Sequence, residues 1–176
     1  EVNNREALIR ERTEELNDKN VSLQQEVLER QKVEQDLRNN EQQISSIFDS
    51  APAGMAIIDT DFRYIQINET MARINGKRAA DHIGRSLSEI APTLEHMLTP
   101  LFEQILETGK PVINLDLSAE MTSRPGEVSN VTASYFPTFG ESQTIRGIGA
   151  VVIDITERKR AEQALKESRQ QFELAM

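Results

Sequence analysis

The sequence predicts an α+β domain carried on a long coiled-coil helix. Three observations predict it. Residues 1 to about 45 hold no Gly or Pro and repeat apolar side chains every seven residues. Residues 46–156 read as two strands, several short helices and three more strands. Residues 157–176 return to a helical pattern that repeats part of the first helix.

In the leading helix the row is Val2, Ile9, Leu16, Leu23, Arg30, Leu37 and Ile44. In its first half the partners Thr13, Asn20 and Val27 sit four residues later; in its second half Val33 and Ile47 sit three residues later. The seam therefore changes side near Arg30, and two nearly equal registers make a candidate bistable element. A stripe this narrow cannot fold against its own helix, so it requires a partner strand. Asn20 occupies a core position, where one polar residue sets register and a two-stranded state. The expected assembly is a parallel homodimer with Ile9, Leu16, Asn20, Leu23, Val27, Leu37 and Ile44 in its seam. A solvated single-helix linker is the alternative.

The helix is expected to end near Ser50, because Pro52 and Gly54 follow. Met55–Ile58 and Tyr64–Ile67 are strand-like runs around the turn Asp59-Thr60-Asp61. Asn68 is the N-cap of a helix through Ile74, closed by Asn75-Gly76. Arg78 to Ile83 forms one more turn, and Ser86 to Glu89 is a capping box. Residues 93–108 are helical, with Pro100 placed to start a fresh helix capped by Thr99. Strands follow at 112–117, at 128–136 after the turn Arg124-Pro125-Gly126, and at 145–155. Thr156 caps the last helix. Its segment ERKRAEQALKESRQQF repeats ERQKVEQDLRNNEQQI of the first, so the chain reads as one module in a string.

Composition narrows the functions. The net charge of −9 without a basic patch argues against nucleic-acid partners. The absence of cysteine excludes disulfides, thiolate metal sites and a cysteine–flavin adduct. No apolar run reaches membrane-span length. The chain opens at Glu1 rather than Met and stops inside a helical pattern, so both ends are expected to be cut points in a longer protein. A cytoplasmic location is expected, with a parent protein that membrane anchoring elsewhere would not contradict.

The segments IFDSAPAGMAIIDTDFRYIQIN, INGKRAADHIGRSLSEIAP and GIGAVVIDITERKRAE resemble, in that order, the opening, helical middle and close of a PAS domain. The resemblance implies a five-stranded antiparallel sheet with short helices on one face and a cavity between them. It also implies a sensory or dimerisation module, as in bacterial sensor histidine kinases and diguanylate cyclases, passing a signal to a covalently linked output domain. A ligand-free dimerisation spacer is the alternative. Ser129-Asn130-Val131 departs from the His-Trp pair expected on that strand, which weakens any transfer of ligand chemistry to it.

In the resembling family Asp154, Ile155 and Thr156 couple the domain to its exit helix. Met71, Ile74, Met97, Leu101 and Ile105 are the candidate cavity wall, with Tyr135 as a polar handle; a plain apolar core is the competing reading. The cofactor is unknown. Haem would need His96 as axial ligand, and a lone His is more often structural or exposed. His82 reads as structural, and neither His is placed as a phosphoacceptor. Gly147 and Gly149 lie within a strand and open no helix, so they mark a bulge or close packing rather than a nucleotide site. No metal-ligand spacing or catalytic triad stands out, and Asp116 and His96 are the only acid–base candidates, so no enzyme activity is expected.

Overall fold

The computed structural model describes residues 2–120 and 126–174. The chain forms two compact units, Glu1–Ser46 and Ile47–Met176. The described residues of the first are helical throughout, part of α1 (Val2–Ser50), as expected from 49 residues without Gly or Pro. Pairs three or four residues apart line it: Glu15 with Arg12 and Lys19, Glu26 with Arg30, and Glu34 with Arg38. The two cations hold the Glu15 carboxyl below its usual range, Lys19 contributing most. Ile9, Leu16, Leu23, Val27, Leu37 and Ile44 are each 52–65% exposed, so no described residue covers the expected seam.

The second unit is built on five strands: β1 (Gly54–Asp59), β2 (Tyr64–Ile67), β3 (Val112–Glu120), β4 (Val128–Phe139) and β5 (Ile145–Asp154). Their spatial order is β2-β1-β5-β4-β3, and every pairing is antiparallel. Asp59 makes the first turn, its Oδ1 accepting from the backbone N–H groups of Asp61 and Arg63. The free edge of β2 is covered by the chain at 84–87, through Gly84 N–H to Tyr64 O and Tyr64 N–H to Arg85 O.

Between β2 and β3 lie α2 (Glu69–Asn75), a 3-10 turn (Ala79–Asp81), α3 (Leu87–Ile90) and α4 (Pro92–Thr108). Asn68 caps α2, and Gly76 closes it in the left-handed conformation at φ 73°. Ser86 and Glu89 form the capping box of α3. Helices and sheet bury one shared core: Met71, Leu87, Leu98 and Phe102 against Ile58, Val131, Ile148 and Val152. Alternation along β4 turns Val131, Ala133 and Tyr135 inward.

Two expectations need correction. α4 is a single helix from Pro92, with Pro100 inside it, rather than two. Pro100 removes the N–H that would bond His96 O, and both residues are exposed, so the missing bond lies on the solvent side of the helix. Leu98 and Phe102 are buried on either side and hold the helix through the proline. β3 and β4 also run three residues past their expected ends: β3 stays paired through Glu120, opposite Val128, and alternation along β4 continues through Pro137. Arg124 and Pro125 of the expected turn lie outside the described residues.

Gly149 is a close-packing site. A Cβ there would stand 2.3 Å from the ring of Phe136, which lies across it. A Cβ at Gly147 would run into the backbone itself, at Ile58 O. The irregularity in β4–β5 pairing falls beside it, between Thr138 and Phe139.

Candidate functional site

Two places in the second unit carry chemistry: a cavity between the helices and the sheet, and the joint where β5 becomes α5 (Thr156–Leu174).

The cavity measures about 40 Å³. Met71, Ile74 and Tyr135 of the expected residues line it. Met97 does not: it is 39% exposed. Leu101 is half-buried beside the core, and Ile105 is fully buried but off the wall. α4 presents Leu94, Leu98 and Phe102 instead, a four-residue row one position round from the expected one. Phe102 packs edge-on against Phe62 at 5.6 Å and Tyr135 at 5.1 Å.

The polar part of the wall is Tyr64, Asn75 and Tyr135. Burial pushes the Tyr64 phenol up to about 12, partly offset by the Asn75 amide. Burial raises Tyr135 further, and the nearby Tyr64 adds to it. Asn75 is anchored from behind by His82, which is fully buried. His82 Nδ1 lies 2.9 Å from Arg78 O and must donate to it, since a carbonyl only accepts. Its Nε2 accepts from Asn75 Nδ2 at 3.2 Å. The His82 ring also stands edge-on to Tyr64 at 5.4 Å. His96 is exposed on α4, away from the wall, so the haem reading loses its ligand.

At the joint, Asp154 Oδ1 accepts the Thr156 N–H at 2.9 Å. Asp154 therefore caps the first turn of α5, where Thr156 was expected to. The Thr156 hydroxyl is used elsewhere: it accepts from Asn130 N–H at 2.8 Å and reaches Asn130 O at 3.3 Å. Ile155 N–H donates to the same carbonyl. The Asn130 side chain accepts from Ser118 Oγ on β3 at 2.8 Å. Lys159 meets Asp116, and Arg160 meets Glu127, at 3.8 and 3.3 Å. The start of α5 is thus clasped to the β3–β4 pair.

A third joint was only half legible. Asn68 is fully buried and uses both ends of its amide. Its Oδ1 accepts from Met55 and Met71 N–H, and its Nδ2 donates to Phe48 O and Ala53 O, all within 2.8–2.9 Å. Among the described residues no cluster could hold a metal, and no helix is long and apolar enough to cross a membrane.

The chain is 23% identical over 172 residues to the sensor histidine kinase TmoS of Ectopseudomonas mendocina, covering 95% of this chain and 17% of that protein. The chain therefore spans about a sixth of that relative's length. The PAS domain of Bordetella pertussis BvgS superposes with a TM-score of 0.58 at 20% identity, over 76% of this chain and 98% of that one. The Vibrio cholerae VqmA dimer gives 0.59 at 22%, over 66% and 52%. VqmA has also been solved bound to DPO. The sequence model of the PAS fold matches residues 48–160. The chain belongs to the PAS fold family.

Proposed function

We propose that this chain is a dimeric sensory module of a multidomain signal-transduction protein, non-enzymatic in itself and cytoplasmic. A change of state in the PAS domain passes through Asp154, Ile155 and Thr156 into α5 and on to a linked output domain. The clasp at Asn130 carries this reading. It ties the backbone of a sheet strand to the first turn of α5 through the Thr156 hydroxyl and the Ile155 N–H, so a shift of β4 is felt by the helix. The heptad row of α1, uncovered in the single chain, supports a parallel homodimer, with Asn20 setting its register. The kinase relative and the VqmA dimer support the same direction.

The test uses the chain's lack of cysteine. Ile9→Cys and Leu165→Cys are each expected to crosslink between copies under mild oxidation. Adding Thr156→Val should change the Leu165→Cys rate severalfold and leave the Ile9→Cys rate alone. A monomer at tens of micromolar by light scattering would overturn the dimer. Identical α5 crosslinking with and without the hydroxyl would overturn the relay.

A ligand-free dimerisation spacer is the second reading. The small cavity favours it, being well below the roughly 300–1,000 Å³ of ordinary ligand pockets.

A further inference from the structure

The charges beside the α1 seam do not suit a parallel pair. Flank residues sit just before or just after the seam row, and in a parallel pair each meets a flank residue of the next heptad in the second copy. Arg5 then faces Arg10, Glu29 faces Glu34, and Asp36 faces Glu41. Arg12 and Lys19 face the neutral Asn17 and Gln24. None of these pairs joins opposite charges, and the seam itself sets Arg30 of one copy against Arg30 of the other. Partners within the helix soften the pattern without reversing it: Glu15 holds Arg12 and Lys19, and Arg38 holds Glu34.

The flanks divide by sign along the helix. From Arg5 to Gln24 they are basic or neutral; from Glu26 to Glu41 they are acidic or neutral. The seam is symmetric about the same region. Forward from Ile9 it steps four, three, four and three residues to Leu23; backward from Ile44 it steps four, three, four and three to Arg30. Two copies laid antiparallel therefore match row to row, with Ile9 on Ile44, Leu16 on Leu37, Asn20 on Val33 and Leu23 on Arg30. The basic flank of each copy then runs along the acidic flank of the other, with Arg12 and Lys19 beside Asp36 and Glu29. The two Arg30 side chains are separated.

We propose that α1 has a second pairing with another copy of this chain, antiparallel and selected by charge, which competes with the parallel dimer. The inference rests on the reading above only in that α1 pairs with another copy. The parallel pair stacks more apolar residues on one another, Leu23 and Val33 among them. The antiparallel pair sets more opposite charges together. Salt screens the second advantage and leaves the first, so ionic strength sets the balance. In the antiparallel pair the two copies leave α1 at opposite ends, so no joint helix pair follows and the relay rests.

The full chain has no cysteine, so introduced thiols report orientation. Leu16→Cys would be mixed with a longer-tagged Leu37→Cys, exchanged and oxidised mildly, and the adducts separated by size. Antiparallel copies give the mixed adduct; parallel copies give the two like-with-like adducts. At about 10 mM NaCl the mixed adduct is expected to dominate. At about 1 M, where the screening length has fallen from about 30 to about 3 Å, its share should drop about fivefold or more. Arg12→Glu with Lys19→Glu should abolish the mixed adduct at low salt. The like-with-like adducts should persist in that variant, because Asn17 and Gln24 are neutral, and they show that the helix still pairs.

A mixed adduct absent at low salt, or unchanged by salt and by the charge reversals, would overturn the antiparallel pairing. The parallel dimer would then stand on the like-with-like adducts. The mixed adduct alone at every salt concentration would overturn the parallel dimer and, with it, the competition. No adduct of either kind would overturn both.

Discussion

The hydroxyl of Thr156 accepts the backbone N–H of Asn130 at 2.8 Å, 26 residues away in the chain. Thr156 is 2% exposed, so water cannot replace that contact without opening the joint. Thr156→Val keeps the shape and removes the bond. It should cost about 1–3 kcal/mol in chemical denaturation, the range for an orphaned buried donor. Thr156→Ser should stay near the parent, since it keeps the oxygen. Hydrogen exchange at the Asn130 amide gives the local check: faster in the valine variant, unchanged in the serine variant.

Asn68 performs the matching task at the other end of the domain. Its amide serves two donors and two acceptors on Phe48, Ala53, Met55 and Met71. Asn68→Ala leaves four backbone groups without it and should cost about 2–4 kcal/mol. Asn68→Asp should be no better, because a carboxylate would face the carbonyls of Phe48 and Ala53. Equilibrium unfolding of the two variants side by side separates this account from a simple loss of volume, which predicts that Asp is tolerated.

These joints show where sequence reading stops. The succession of strands and helices along the chain, the capping box at Ser86 and the cap at Asn68 were legible because alternation and caps involve neighbours. The other partners of Asn68 lie 13 to 20 residues away, and no local pattern announces them. Asn130 stood out only as a departure from the family's pattern, although it is the residue that meets Thr156. On α4 the apolar residues from Leu94 to Leu106 span more than one face. Which of them meets the cavity depends on how the helix lands on β3, β4 and β5, a tertiary fact. No local pattern therefore set Leu98 and Phe102 apart from Met97, Leu101 and Ile105 as the wall.

The two strand glycines should respond differently to a methyl group. At Gly147 the obstacle is Ile58 O on the neighbouring strand, which cannot move without breaking the β1–β5 pairing. At Gly149 it is the Phe136 ring, which can turn away. Gly147→Ala should cost about 3 kcal/mol or more, and Gly149→Ala about 1–3. Phe136→Leu should recover part of the loss from Gly149→Ala and none from Gly147→Ala. A double-mutant comparison of denaturation midpoints reads this directly.

Acid should weaken the α3 segment first. The Ser86 backbone N–H, helped by Arg85, holds the Glu89 carboxyl down at about 2 from its ordinary 4.5. A depressed carboxyl contributes stability that is complete above 4.5 and fades as the pH falls toward 2. Glu89→Gln should therefore lower Tm at pH 7 and match the parent near pH 2. A Tm difference that stayed constant across that window would mean the capping box does not depend on the charge.

The proposed coiled-coil seam gives the sharpest pair of variants. Val27, Arg30 and Val33 follow one another at three-residue steps, where the rest of the row alternates three and four. Such a step overwinds a coiled coil locally and places Arg30 in the row. Arg30 keeps its charge in solvent beside Glu26, at 2.7 Å. Arg30→Leu should tighten the proposed dimer about tenfold or more, because an apolar side chain replaces a charge at the seam. Asn20→Leu should also tighten association, yet lose the two-stranded state, since the polar residue is what disfavours larger assemblies. Sedimentation velocity distinguishes the two variants. Arg30→Leu should remain a dimer, Asn20→Leu should show trimer or tetramer, and an Asn20→Leu species that stayed dimeric would remove Asn20 from the seam.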